Sequence, residues 1–388
     1  MNRTSIRVRV FLFVVSIGVL LGFLLSGCAS TAPIDEQVDK GISEYSFEYR
    51  IAPWYGFSPS ACSITFDDGT LDQYLLAFPE LEKRNMKATF FLITDPREAG
   101  IWEDGSIKRL LFSWEHARTI AAAGHEIASH SSTHADLSEI TVNAYREFET
   151  SRDTIRMHIP AIPKGMTFSW PYWRSNAANQ AIAPTYFIGA RSGGGRLSQY
   201  PHRFGGIPQK TPQNFYQINS MRISENFDIR EMKRLGDQAF EKGNWLIGGF
   251  HGIDDANIPK EALGWDPLSL HNFRAVLDYI ETKDFWIAPF GNVLRYIRER
   301  DTALVRLLGH SPTTISFLVE DNLEDEVFSQ PLSIEFVVPE QWRTVEIYRN
   351  GIYDSRRSVD KGKVRCDIRP DGSEIVFVGQ LYTVTQRR

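Results

Sequence analysis

The chain is expected to fold as an α/β protein, a distorted and incomplete (β/α) barrel followed by a small antiparallel β module. Two observations predict this. From Ala61 onward, short β-rich runs alternate with longer segments of helical period, the pattern of a parallel sheet wrapped by helices. After Arg300 the helical period gives way to strand-like alternation of apolar and polar residues.

The elements follow in order. Ala61 to Phe66 reads as a buried strand, Leu71 to Asn85 as a helix, Ala88 to Ile93 as a strand, and Ser113 to Ala123 as a helix closed by Gly124. Glu126 to Ser129 is a further strand, and Ile140 to His158 a long amphipathic helix. Strands are expected at Met166 to Ser169, Tyr186 to Ala190, Trp245 to Phe250 and Phe285 to Ala288, with helices at Arg230 to Lys242, Leu268 to Thr282 and Val293 to Arg300. In the tail, Thr314 to Val319, Leu332 to Val338, Thr344 to Arg349 and Glu374 to Val378 read as strands. Turn signals at Arg349-Asn350-Gly351 and Pro370-Asp371-Gly372 divide them.

The 388 residues, 42% hydrophobic and 23% charged, are enough for a large core and a smaller module. Arg3, Arg7 and Arg9 precede an apolar run from Val10 to Leu25, the layout of an export signal. A spanning helix wants about 20 apolar residues, and this run stops at Leu25-Ser26-Gly27-Cys28, which resembles the bacterial lipobox. Residues 1–27 are therefore expected to be a lipoprotein signal peptide, with Cys28 acylated; an uncleaved anchor or ordinary signal peptide is the alternative. The chain would then be exported and lipid-anchored to a bacterial membrane, facing the periplasm or the cell exterior. Residues 28–44 read as a tether, 45–300 as the α/β domain and 301–388 as the β-rich module. Without residues 1–27, 40 basic face 48 acidic side chains, a net charge of -8 that argues against nucleic acid as partner. Cys62 and Cys366 are too far apart in sequence to build a disulfide framework or cysteine metal site. Cys62, in a buried strand, reads as an inert core thiol.

Thr65-Phe66-Asp67-Asp68-Gly69 puts two adjacent carboxylates at the carboxyl edge of a strand, where barrel enzymes place their active sites. Such a pair is tolerated if one acid binds a cation and the other is left free to take a proton. The alternative is a helix cap, Asp68 or Thr70 closing the helix from Leu71. His130-Ser131-Ser132-Thr133-His134 follows another strand end, and two imidazoles four residues apart suit a shared metal on a helical turn or a turn of similar compactness. His251 ends the apolar run Leu246-Ile247-Gly248-Gly249-Phe250, where an imidazole can serve as a proton donor or as a structural histidine.

With these motifs the chain resembles the polysaccharide deacetylases of carbohydrate esterase family four, which include chitin, peptidoglycan and xylan deacetylases. The resemblance covers roughly residues 45 to 300. It implies that Asp68, His130 and His134 hold one divalent ion, zinc with cobalt or nickel as alternatives, that Asp67 is the general base, and that His251 protonates the leaving group. Two imidazoles and one carboxylate leave an open position for water, whose pKa zinc can bring to about 7. The family's oxyanion donor is the backbone N–H after the proline of Pro171-Tyr172, which makes Tyr172 the candidate here.

The pattern departs from the family in two places. Ser169 stands where many members have an arginine holding the catalytic aspartate, and Arg191 is expected to supply that charge from the end of another strand. The aspartate motif that orients the acid histidine is absent, and Asp254 or Asp255 could replace it or simply cap a loop. Trp170, Trp173 and Trp265, near the motifs, are candidates for stacking on sugar rings or for core packing.

The expected activity is metal-dependent hydrolysis of N-acetyl groups on an N-acetylhexosamine glycan, the partners being an acetylated polysaccharide or oligosaccharide and, through the lipid, a membrane. An O-acetyl esterase on xylan or a similar glycan is the nearest alternative, and a non-catalytic glycan-binding lipoprotein the next.

Overall fold

A computed structural model describes residues 46–105, 107–193 and 210–381. The expected signal segment, Cys28 and the tether lie outside the described residues. In chain order the strands begin with β1 (Tyr49–Ile51), β2 (Ser60–Phe66) and β3 (Thr89–Leu92), followed by a hairpin of β4 (Ile101–Asp104) and β5 (Ile107–Leu110). Then come β6 (Glu126–Ser129), β7 (Thr167–Ser169), β8 (Gly189–Gly193), β9 (Ile218–Arg222), β10 (Trp245–Phe250), the short β11 (Ile253–Asp254) and β12 (Leu268–Ser269), and β13 (Phe285–Ile287).

Seven parallel strands, β2, β3, β6, β7, β8, β9 and β10, lie side by side, and β10 pairs with β2 from Trp245↔Ala61 to Phe250↔Phe66, so the sheet closes into a barrel. With β10 along one edge of β2, the other edge is shared: Thr65 and Phe66 pair with β3, while Ser60 to Cys62 pair with β13. That sharing is the distortion. The barrel is completed by seven strands, and an eighth fills the place where β2 and β3 part. Every residue of β2 is buried, as expected of a strand covered on both faces.

The surrounding helices are α1 (Phe78–Lys83), α2 (Trp114–Ala122), α3 (Ala144–His158), α4 (Ala177–Ile182), α5 (Ile229–Lys242), α6 (Leu270–Glu281) and α7 (Phe290–Thr302). A π-turn at Gln73–Ala77 leads into α1, with Phe78 N–H bonding Gln73 O. Pro79 has no N–H to offer the preceding turn, which favours this wider winding. Helix α3 starts later than the apolar pattern indicates: Asn143 caps it, and Ile140 is 92% exposed. Strand β8 also starts late, because the turn at Ala183–Thr185 holds Tyr186 in helical conformation. Arg191 consequently lies within the strand.

The tail forms β14 (Leu304–His310), β15 (Thr314–Glu320), β16 (Leu332–Val337), β17 (Trp342–Arg349), β18 (Ile352–Ser358), β19 (Lys363–Ile368) and β20 (Asp371–Leu381). They make a five-stranded antiparallel sheet, β14-β15-β20-β17-β18, and a three-stranded one, β1-β16-β19. Phe317, Phe336 and Phe377 meet between them, with ring centroids 4.6 to 5.2 Å apart. Strand β1 joins this module through Tyr49↔Phe336, so the module draws on residues before the barrel as well as after it. Among the described residues no helix is long and apolar enough to cross a membrane.

Candidate metal and catalytic site

The strand ends β2, β6 and β10 bring Asp67, Asp68, His130, His134 and His251 to one side of the barrel. Asp67 N–H bonds Phe250 O, the residue before His251, so the β2 and β10 ends are locked in register. Gln73 Nε2 reinforces the lock by donating to Asp67 O and His251 O, at 2.5 and 2.6 Å. The π-turn thus has a place in the site, as such turns often do.

Asp68 adopts φ 74° and Gly69 φ 75°, turning the chain sharply out of β2. A Cβ on Gly69 would lie 2.5 Å from Arg97 Nη2, so only glycine fits there. Arg97 is buried and donates to the carbonyls of Asp68, Gly69, Ile93 and Phe112.

His130 to His134 form a loop rather than a helical turn, with Ser131 and His134 in left-handed conformation. Ser131 Oγ accepts from His134 N at 2.9 Å. Glu147 of α3 accepts from Ser132 N, Thr133 N and Thr133 Oγ1 at 2.8 to 2.9 Å. Among the described residues, six of the ten non-glycine residues at positive φ (Asp68, Ser131, His134, Tyr172, Trp173 and Asp266) lie in these loops or in others lining the same cavity. Such strain persists only where the surroundings over-determine it.

The Nε2 atoms of His130 and His134 each lie 3.5 Å from Asp68 Oδ1, and one donor atom from each residue falls within 4.8 Å of the others. His130 Nδ1 donates to Ser169 O at 2.8 Å, which leaves its Nε2 lone pair toward Asp68. A tetrahedral ion with bonds of about 2.0 to 2.2 Å keeps its ligands roughly 3.3 to 3.6 Å apart. Both spacings fit. Burial disfavours the charged imidazole in both residues, and for His134 the neighbouring His130 adds to the effect. Two neutral imidazoles and one carboxylate are the donor set of a divalent ion. Asp67 Oδ1 and His134 Nδ1 are buried without a hydrogen-bond partner among the described residues. The protein's own bonding therefore does not exhaust the polar atoms here.

Asp67 is 1% exposed, and its Oδ2 takes a hydrogen bond and an ion pair from Arg191, itself fully buried. Arg191 also donates to Ser169 Oγ at 2.6 Å and to Ser220 Oγ at 2.7 Å. Ser169 thus accepts from the arginine of β8, which was expected to supply the charge at Asp67. Gly249 makes room: a Cβ there would come 2.9 Å from Arg191 Nη1. Burial pushes the Asp67 carboxyl up, but Arg191, His130 and His251 outweigh it and hold the pKa at about 2. His251 Nε2 lies 3.8 Å from the same Oδ2, and burial takes its pKa down to about 4.

Tyr172, Trp173 and Trp265 line a cavity with the five motif residues, Trp102 and Arg222. Trp170 does not. Its indole is fully buried against Phe148 and Phe168, and Nε1 donates to Tyr216 O at 2.8 Å. The expectation of sugar stacking at Trp170 is therefore corrected: the side chain after β7 points into the core, while Trp173 reaches the cavity. Nor do Asp254 or Asp255 orient His251. Asp254 is exposed, and Asp255 caps its own loop through Asn257. Trp102, Arg222, Gln73 and Glu147 were not foreseen. Of these, only Glu147 carried a sequence signal, as an acid on the apolar side of a helix.

Residues 56–185 match the polysaccharide deacetylase family. The match takes in the carboxylate pair, both loop histidines and Tyr172, and ends before His251. The chain is also similar, at 22% identity over 365 residues, to gellan lyase from a Bacillus species. That alignment covers 84% of this chain and 13% of the lyase, so the chain spans a small part of that protein's length. Among solved structures it is similar to the deacetylase PplD of Streptococcus pyogenes, at 20% identity, 45% of this chain, 69% of that one and TM-score 0.36. It is similar also to the Xyl-CE4 domain of a multidomain xylanase from the hindgut metagenome of Trinervitermes trinervoides, at 16%, 60%, 89% and 0.37. The Bc1960 peptidoglycan N-acetylglucosamine deacetylase gives 16%, 60%, 87% and 0.38. Residues 56–185, about a third of the chain, thus belong to a polysaccharide deacetylase domain.

Proposed function

We propose that this domain removes N-acetyl groups from an N-acetylhexosamine-containing glycan, with Asp68, His130 and His134 holding one divalent ion, zinc by their chemistry. The observation that carries the reading is the different placement of the two acids: Asp68 Oδ1 lies 3.5 Å from both imidazoles, whereas Asp67 is bound to Arg191 and its Oδ2 lies 3.8 Å from His251 and 4.0 Å from His130. The ion would act as a Lewis acid and lower the pKa of the attacking water.

The protein's own groups supply the proton transfers. Asp67 stays ionised throughout the physiological range and is the base. His251 enters neutral, so its proton must be supplied during the cycle. Asp67 Oδ2, 3.8 Å from Nε2, is the nearest acid once it has taken one. His251 then protonates the leaving amine. The Tyr172 N–H, in a turn at φ 54°, is the proposed oxyanion donor.

The cavity measures about 190 Å³, below the roughly 300 to 1,000 Å³ of drug-sized ligand clefts, which suits one sugar ring and its acetyl group. Trp173, Trp265 and Trp102 offer it aromatic walls. Export and attachment to a membrane through Cys28 belong to the same proposal. Acetate release from chitooligosaccharides, peptidoglycan and acetylxylan, with Asp67→Asn as blank, tests it. Release from acetylxylan alone would replace the amidase with an O-acetyl esterase. No release from any of them, with zinc or cobalt supplied, would leave a glycan-binding protein.

A further inference from the structure

We propose that Arg222 is a positioning residue for His251, acting through Trp265; the inference rests on the deacetylase reading above. Among the described residues, the carboxylate within ion-pairing distance of His251 is that of Asp67, its proton partner. A ring that exchanges a proton with one neighbour and delivers it to another needs a third group to hold its plane.

Trp265 supplies that group. Its ring lies 5.0 Å from the His251 ring, with the planes at 80°. Yet Trp265 sits on the stretch between β11 and β12 and is 36% exposed, so alone it would be a poor brace. Arg222 fixes it twice. The guanidinium lies 4.4 Å from the indole centroid, and Nη2 pairs with the carboxylate of the next residue, Asp266. Asp266 turns the chain at φ 46°, in the left-handed region that aspartate tolerates. Arg222 is itself anchored, because it ends β9 in register with Gly249, two residues before His251 on β10. Arg109 of the hairpin ties down the same stretch by donating to Leu263 O at 2.8 Å.

The chain thus places a cation, an indole and an imidazole in contact order from the end of one strand to the end of its neighbour. The function this predicts is specific to leaving-group protonation. An amine must be protonated to depart, whereas 4-nitrophenolate departs without a proton.

The test compares kcat/KM on a chitooligosaccharide amide and on 4-nitrophenyl acetate, for wild type, R222M, R222K, H251A and R222M/H251A, each loaded with zinc. R222M should lower the amide value roughly 10- to 100-fold, mainly in kcat, and the ester value by much less. R222K should recover part of the amide loss, and the double variant should be no worse on the amide than H251A alone. Equal loss on both substrates, no loss on the amide, or full additivity with H251A would overturn the proposal. If R222M does not fold, D266N is measured in the same way: selective amide loss supports the proposal, and equal or no loss overturns it. A wild type that releases no acetate from the amide would instead overturn the deacetylase reading, a separate result.

Discussion

Replacing Arg191 by Met should destabilise the protein strongly at neutral pH and less at acidic pH. The guanidinium is fully buried and serves Asp67, Ser169 and Ser220, with Asp67 itself 1% exposed. Removing one partner of a buried pair leaves the other charge uncompensated, at a cost of about 3 to 5 kcal/mol. The pH dependence follows from Asp67. In the wild type its folded pKa of about 2 lies below the ordinary value of 3.8, so it contributes stability above pH 3.8 that is lost as pH falls toward 2. Without Arg191, burial is no longer outweighed, and the folded pKa should rise above the unfolded one. The carboxylate then opposes folding at neutral pH, and acid relieves it. The gap between wild type and variant should therefore be widest near pH 7.5 and narrower at pH 4.5. Urea denaturation at the two pH values reads it directly. Equal midpoints at pH 7.5, or a wider gap at pH 4.5, would refute the reasoning.

Glu299 should make stability fall as pH rises. It is fully buried, and burial and then Asp321 push its pKa up to about 8, above its ordinary 4.5. Its neutral form is favoured in the folded state, so the protein loses up to a few kcal/mol between pH 4.5 and 8. E299Q should accordingly exceed the wild type in stability at pH 8.5 and not at pH 5, as melting curves would show. W170A should cost about 3 to 5 kcal/mol as a core truncation, with KM unaltered in the fraction that folds. G193A should instead raise KM, because its methyl group would lie 1.8 Å from Trp173 Cε3 and push that indole from the cavity.

The barrel was legible where its strands are short, buried and mainly small or apolar: Ala61–Phe66 and Trp245–Phe250 coincide with β2 and β10 almost to the residue. Strand β9 was not. Ile-Asn-Ser-Met-Arg offers neither an apolar run nor clean alternation, and its strand character comes from lying between β8 and β10. Hidden with it was Arg222. The hairpin carrying Trp102 and the strand β14 escaped for the same reason, since half-exposed strands follow tertiary pairing more than propensity. At the site, residue types that bind metal announced themselves by spacing. Arg191 was placed by a weaker argument, an expected strand end that could supply a missing charge; it lies within β8 instead, and the structure still brings it to Asp67. Trp170 and Trp173 could not be told apart in sequence, because the choice between core and cavity depends on how the chain turns at Tyr172 and Trp173, both at positive φ.

The most direct measurement is metal stoichiometry set beside acetate release for wild type, D67N and D68N, each loaded with zinc. One ion per chain in the wild type and in D67N, with D67N inactive, and neither ion nor activity in D68N, is the expected result. A D68N variant that keeps its ion, or a D67N variant that deacetylates at the wild-type rate, would contradict the assigned roles of the two acids.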